Sequence, residues 1–260
     1  MIIGFVPAAL TLILRHGLPV GNIARSAVIS GLFALFAWLL GGVSASGALA
    51  GFAIAFTLYM SGGWPVFALL LFVFVLTWAV TRSGYARKLA RGLTEPGTGR
   101  SAAQVVANVG LAAWVLMLDP AWWTPLRVAA SCAALAVLAE AAADTCASEI
   151  GKAYGQRTVL LTTGRPVPPG TDGGVSWVGM ACALSASLLV AAAAFALGVV
   201  RAHEAALVTL AAGFGAVLDS LLGATLEQRG WINNDAVNLL GTLTAAGLAA
   251  GLCLVLLHQS

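Results

Sequence analysis

Residues 140–174 read EAAADTCASEIGKAYGQRTVLLTTGRPVPPGTDGG, and the rest of the chain is arranged around them. An apolar run enters this stretch carrying Glu140, Asp144, Ser148 and Gly151 at steps of four, four and three. Those steps place all four on one face of a helix. Glu149 and Lys152 follow near the helix end, and a Pro- and Gly-rich loop then presents Arg165 and Asp172 before the next apolar run. A carboxylate inside a membrane helix is costly unless it is paired, hydrated or bound to a cation. Acids and bases gathered at one end of a span are the makings of a site for a charged ligand.

Composition says that the surroundings are lipid. The 260 residues are 60% hydrophobic and only 9% charged, against about 25% charged in soluble domains. A span takes roughly 20 apolar residues. Apolar runs at about 2–15, 22–42, 45–60, 64–82, 101–118, 127–148, 174–200, 203–225 and 235–257 predict about nine transmembrane helices. The fold class is therefore an all-α polytopic membrane protein, a single domain over 1–260 with site loops at 82–100, 149–173 and 226–234. The first run lacks the basic flank of a cleaved signal peptide and is expected to stay as a short span. In SGALAG, Gly47 and Gly51 make a small face suited to close helix packing. Cys132, Cys146, Cys182 and Cys253 form no CxxC pair and adjoin no His, so neither zinc nor a disulfide framework is indicated. His16, His203 and His258 carry no assigned chemistry. Trp64, Trp122, Trp123 and Trp177 near span ends read as interfacial anchors.

The net charge of +3 is small, and its grouping in loops points to membrane orientation rather than nucleic-acid binding. With alternating spans, nine Lys and Arg fall on one side, at 82, 87, 88, 91, 100, 152, 157, 165 and 229. Four fall on the other, at 15, 25, 127 and 201, and nine plus four accounts for all thirteen. The positive-inside rule makes the nine-residue side cytoplasmic. On that side lie Asp144 and Glu149, Asp219, the pair Gln104 and Asn108, and the series Asn234 and Asn238. Four helices thus bring carboxylates and amides to one depth, although only Lys and Arg were used to set the topology.

Clustered carboxylates suit Mg²⁺, which takes oxygen ligands, keeps several waters and bridges to substrate phosphates. Asp144, Asp172 and Asp219 are the expected ligands, with Glu149 next; the alternative is that each acid is neutralised by a Lys or Arg or hydrated at the interface. In RPVPPGTDGG the prolines stiffen the backbone while Gly170, Gly173 and Gly174 free it. Thr171 and Asp172 are expected just before a helix whose free amides attract phosphate; a tight re-entry turn is the alternative. Lys152 and Arg165 supply cations to such a site. Gln104 and Asn108 orient ligand groups or bond between helices.

DTCASEIG, TTGRPVPPGTDGG, DSLLGATLEQRG and the spaced Asn234 and Asn238 resemble the signature blocks of one membrane-protein family. That family contains transmembrane protein nineteen, the plastid phytyl-phosphate kinase of tocopherol synthesis, and many bacterial and archaeal members. SASGALAG, the GG before Trp64 and RSAAQVVANVG are similar to its earlier blocks, with Val109 as a departure where a small residue is expected. The resemblance spans about Ser44 to Gly241 and extends more distantly to polyprenol kinases and CDP-diacylglycerol synthases. It implies Mg²⁺-assisted phosphoryl transfer from a nucleoside triphosphate, CTP foremost, to a prenyl or phytyl monophosphate in a bacterial or archaeal cell membrane. The implied roles are Mg²⁺ on Asp144, Asp172, Asp219 and Glu149, and triphosphate on Lys152 and Arg165. Ligand contacts are implied at Gln104, Asn108, Ser148, Gly170, Thr171, Gly173, Gly174, Asn234 and Asn238. A membrane cytidylyltransferase or prenol kinase is the enzymatic alternative, and an ion-coupled transporter the alternative from another class. Lipid-phosphate substrate, nucleotide and membrane lipids are the expected partners; a homodimer stays open.

Overall fold

The computed structural model describes residues 20–94, 99–118 and 124–259. The expected first span, His16, Trp122 and Trp123 lie outside them. The described chain is built from α1 (Val20–Leu39), α2 (Ala45–Arg82), the short α3 (Tyr85–Ala90), α4 (Ala102–Met117), α5 (Thr124–Tyr154), α6 (Trp177–Ala196), α7 (Ala202–Leu222) and α8 (Asn234–Gln259). Six of these are long and apolar enough to cross a membrane, and α4 is a shorter apolar helix. The polytopic all-α class is as expected; the number nine is not reached among the described residues.

Part of the difference is one of counting, since α2 joins two expected spans in one stretch of 38 residues. Gly63 breaks it with φ 69° and ψ −168°, and Pro65 follows. Near its far end, Trp78 Nε1 (3.2 Å) and Arg82 Nη2 (2.6 Å) both donate to the Leu40 carbonyl, just ahead of the helix start. A straight helix of that length would hold its ends about 57 Å apart. α2 therefore doubles back at Gly63 into two arms, each close to a hydrocarbon core in length.

Helix starts follow local chemistry. Ser44 accepts from Gly47 N, Ser176 accepts from Gly179 N, and Ser101 forms a capping box with Gln104. Such caps satisfy amides that a helix start leaves open. α5 is the axis of the bundle. From Cys132 to Ala143 every residue is buried, and α2, α4, α6, α7 and α8 surround it. Its small residues let neighbours approach closely. Leu49, Leu210, Phe214, Trp177 and many other large apolar side chains face outward, as a lipid-facing surface requires.

The loop after α5 departs from expectation. It folds into a three-stranded antiparallel sheet of order β2-β1-β3, with β1 (Thr158–Leu160), β2 (Pro166–Val167) and β3 (Gly174–Ser176). Pairing of Leu160 with Gly174 and of Val159 with Pro166 fixes the loop in register.

Candidate functional site

A cavity of about 1450 Å³ occupies the end of the bundle where the turn at 41–44, the segments 82–94 and 99–104, the sheet and the α7–α8 turn meet. The expected residues Gln104, Asn108, Asp144, Ser148, Glu149 and Lys152 line it. So do Gly170, Thr171, Asp172, Gly173, Gly174, Asn234 and Asn238. Its other walls are apolar, from Phe33 on α1 and Ile54, Leu70, Val73 and Phe74 on α2. The cavity is thus amphiphilic, with charge toward the loops and oil toward the bundle.

The acids converge through two helices. Asp144 on α5 interacts with Asp219 on α7, and Glu140, one turn deeper, interacts with both. Glu140 is buried between Gly215 and Gly241; a Cβ on Gly241 would lie 2.7 Å from Glu140 Oε1. Glu140 Oε1 and Asp219 Oδ2 are buried with no hydrogen-bond partner among the described residues. Asp219 does not line the cavity itself; Asp144 does.

Glu227 was not singled out in the sequence. Eight residues after Asp219, regular α geometry would set it about 80° off that face. A π-helical turn over Gly223–Glu227 absorbs one extra residue and brings the offset to about 20°. Glu227 lines the cavity and interacts with Asp219, Asp144 and Asp172. A second π turn, Val106–Gly110, carries Asn108, whose Nδ2 donates to the Gln104 carbonyl (2.8 Å). Gln104 Oε1 accepts from Ser101 N (2.8 Å), so that end of the side chain caps α4.

The cations differ from expectation. Arg165 lies exposed at the β1–β2 turn and does not line the cavity, because strand pairing points that hairpin away. Arg100, one of the nine cations on the orienting side, takes the inward position. Its backbone bridges Gly42 and Ser44, and a Cβ on Gly47 would lie 2.1 Å from its carbonyl oxygen. Its guanidinium donates to Thr145 Oγ1 (3.0 Å) and interacts with Asp144. Lys152 interacts with Asp144 as well, and its Nζ lies 3.3 Å from Glu149 Oε1. Lys88, only 2% exposed, is ion-paired with the other oxygen of Glu149. Glu149 is thus engaged by two lysines and is a poor candidate for a metal ligand.

Two further expectations are corrected. The helix after the loop begins at Trp177 with Ser176 as its cap, so Thr171 and Asp172 do not stand at its free amides. Gly173 does have positive φ (+68°), but what approaches it is protein: a Cβ there would lie 2.2 Å from Ala224 N in the π turn of α7. Gln228 Nε2 donates to the Asp172 carbonyl (2.8 Å) and ties the loop to the same turn. Gly47 packs closely against the Arg100 carbonyl rather than against a helix, and Gly51 faces open cavity space.

Among the described residues no three Asp, Glu, His or Cys side chains form a ready metal cage. Mg²⁺ needs no such cage, since one or two carboxylates plus phosphate oxygens and waters suffice. The pair Asp144 and Asp219, with its unpartnered oxygen, is the donor set that fits a hard cation.

These features define a polytopic helical membrane protein with an amphiphilic, charge-lined cavity at one end. The chain belongs to the family described as integral membrane protein DUF92, which it matches over residues 28–246. Over 192 residues it is 34% identical to an uncharacterised membrane protein of Synechocystis sp., covering 73% of this chain and 74% of that one. It is 32% identical over 208 residues to the chloroplastic protein VTE6 of Arabidopsis thaliana, covering 78% of this chain and 62% of the relative. An uncharacterised membrane protein of Methanocaldococcus jannaschii is 31% identical over 194 residues, 73% of this chain and 77% of its own. No solved structure matches.

Proposed function

We propose that this protein transfers the γ-phosphoryl group of CTP to an isoprenoid monophosphate, giving the diphosphate and CDP. The carrying observation is the amphiphilic cavity: Arg100, Lys152 and Lys88 meet Asp144, Asp172 and Glu227 at one end, and Phe33, Leu70 and Phe74 line the other. A lipid phosphate needs both halves together. The motif resemblance to the phytyl-phosphate kinase family supports the reaction class, as does membership beside VTE6.

A phosphate oxygen of the lipid attacks the γ-phosphorus, the bond from that phosphorus to the bridging oxygen breaks, and CDP departs with the electron pair. The attacking oxygen is already an anion, so no general base is required. Positioning and charge neutralisation carry such transfers. Arg100, with a planar fork suited to two phosphate oxygens, and Lys152 hold the triphosphate. Asp144 and Asp172 on the cavity wall, with Asp219 behind Asp144, would hold Mg²⁺, which would supply neutralisation of phosphate charge. Asn108, Ser148, Asn234 and Asn238 orient ligand groups. Trp177, Met180 and Leu184 of α6 line the cavity and are also exposed to the surroundings, which gives a lipid tail a sideways entrance.

Purified protein incubated with each nucleoside triphosphate, Mg²⁺ and a series of prenyl monophosphates tests the reading. CDP and prenyl diphosphate are expected; pyrophosphate would instead establish a cytidylyltransferase, and the absence of any nucleotide product would end the enzymatic reading. The charged end faces the cytoplasm in this reading. Single cysteines at Arg157 and Arg229, in a background without the four native cysteines, should resist an impermeant thiol reagent in intact cells, and one at His203 should react.

A further inference from the structure

The oily half of the cavity has a floor. The deepest lining residue is Phe33 on α1, Ile54 and Leu70 on the two arms of α2, and Val109 on α4. About one turn deeper, Ser30, Leu58 and Phe67 are buried and line nothing. Phe67 stands edge-on to Phe33 and to Tyr59, each at 5.7 Å between centroids, and Phe33 also meets Phe74 at 5.5 Å. These rings close the space between α1 and the arms of α2.

The depth of this floor can be compared with a prenyl chain. Arg100 is anchored at Gly42 and Ser44; Phe33 lies nine residues below Gly42, and Ile54 ten below Ser44. At 1.5 Å per residue both sit about 14–15 Å down. An isoprene unit adds four carbon–carbon bonds, about 5 Å when extended. We infer that the cavity measures tail length, admitting isoprenoid monophosphates of up to about three isoprene units, with Phe33 and Ile54 as the stop. Gly51 is the gauge position. It lines the cavity three residues above Ile54, and a Cβ built on it meets nothing within 4 Å. A side chain there raises the floor without disturbing the backbone. The inference rests on the proposed substrate class and specifies its size.

The test uses full-length protein in nanodiscs and prenyl monophosphates of two to eleven isoprene units. Binding is read by displacement of a radiolabelled three-unit monophosphate, and transfer separately by CDP release. Wild-type binding should fall at least tenfold beyond about three units. Phe33→Ala should move the cut-off up by a unit or more, and Gly51→Leu should move it down by about one. Equal binding at all lengths, as a tail trailing out past Trp177 would give, overturns the inference but leaves phosphoryl transfer intact if CDP is released. A cut-off that moves with Gly51→Leu supports the inference even without CDP release, and transfer then fails alone. If Phe33→Ala does not fold, Gly51→Leu decides, and an unmoved cut-off in that variant overturns the inference.

Discussion

The two ends of the bundle differ in how far along the chain their charged side chains find partners. Away from the cavity, Glu204 accepts from Arg201 N (2.7 Å) within one helix start, Ser26 Oγ donates to Met60 Sδ (3.1 Å) across 34 residues, and Gly198 makes its turn with open space around it. At the charged end the partners come from far along the chain. Lys88 and Glu149 are 61 residues apart, Arg100 and Thr145 are 45, and Gln228 and Asp172 are 56. There too, α4 and α7 break into π turns and buried carboxyl oxygens stay unpartnered. Helix irregularity and open polar groups cost stability, and they persist where function needs them. The contrast sets the charged end apart as the proposed site.

The contrast breaks most sharply at the carboxylates. Asp144→Asn keeps a hydrogen-bonding oxygen but loses the charge, and turnover should fall about 100-fold or more, with unchanged elution on size exclusion. Glu204→Gln, at the other end, should stay within twofold. If Asp144→Asn retained more than about a tenth of wild-type turnover, the two ends would not differ in the way described.

Next come two glycines of positive φ. Gly173→Val drives a branched side chain into the Ala224 backbone and should abolish measurable CTP binding and lower the unfolding temperature sharply. Gly198→Ala meets open space and should cost only about 1 kcal/mol of backbone strain, with CTP affinity unchanged. Calorimetric titration and thermal melts of both variants check this. Wild-type CTP affinity in Gly173→Val would make the loop a mere turn.

The cations should show a smaller difference. Arg100→Lys keeps its charge but loses the fork, and CTP affinity should drop about tenfold. Arg165→Lys, exposed and off the cavity, should leave affinity unchanged. The smallest effect belongs to the loop tether. Gln228→Ala removes one hydrogen bond, about 1 kcal/mol, and should raise KM for nucleotide a few-fold while kcat holds.

These comparisons also show what a sequence exposes. The convergence of Asp144, Asp219, Asn108 and Asn238 was legible, because span order and loop charge alone put them at one end. The roles of Arg165 and Arg100 were not. Both are arginines in polar loops, and only strand pairing in one case and the Gly42–Ser44 bridge in the other decide which faces inward. Glu227 was hidden by periodicity, since a 3.6-residue repeat sets it off the face of Asp219 and one π turn restores it. Lys88 read as one of several surface cations; its burial against Glu149 is a tertiary fact. At Gly63 the two apolar runs were visible, but not that a single residue would suffice to reverse them.

Glu140, held between Gly215 and Gly241, also sets a timetable for biosynthesis. The glycines that enclose it are made 75 and 101 residues later in the chain. At roughly 5–20 residues per second, that is about 4–20 s of synthesis. Through that interval α5 exists without the two helices that wall in its acid, and a carboxylate alone in lipid costs about 2.5–3.5 kcal/mol. The nascent helix must wait at the insertion machinery, or in contact with the earlier α1–α4 segments, until α7 and α8 arrive. A ribosome stalled soon after α5 would therefore leave that helix readily extracted from the membrane, and one stalled beyond α8 would not.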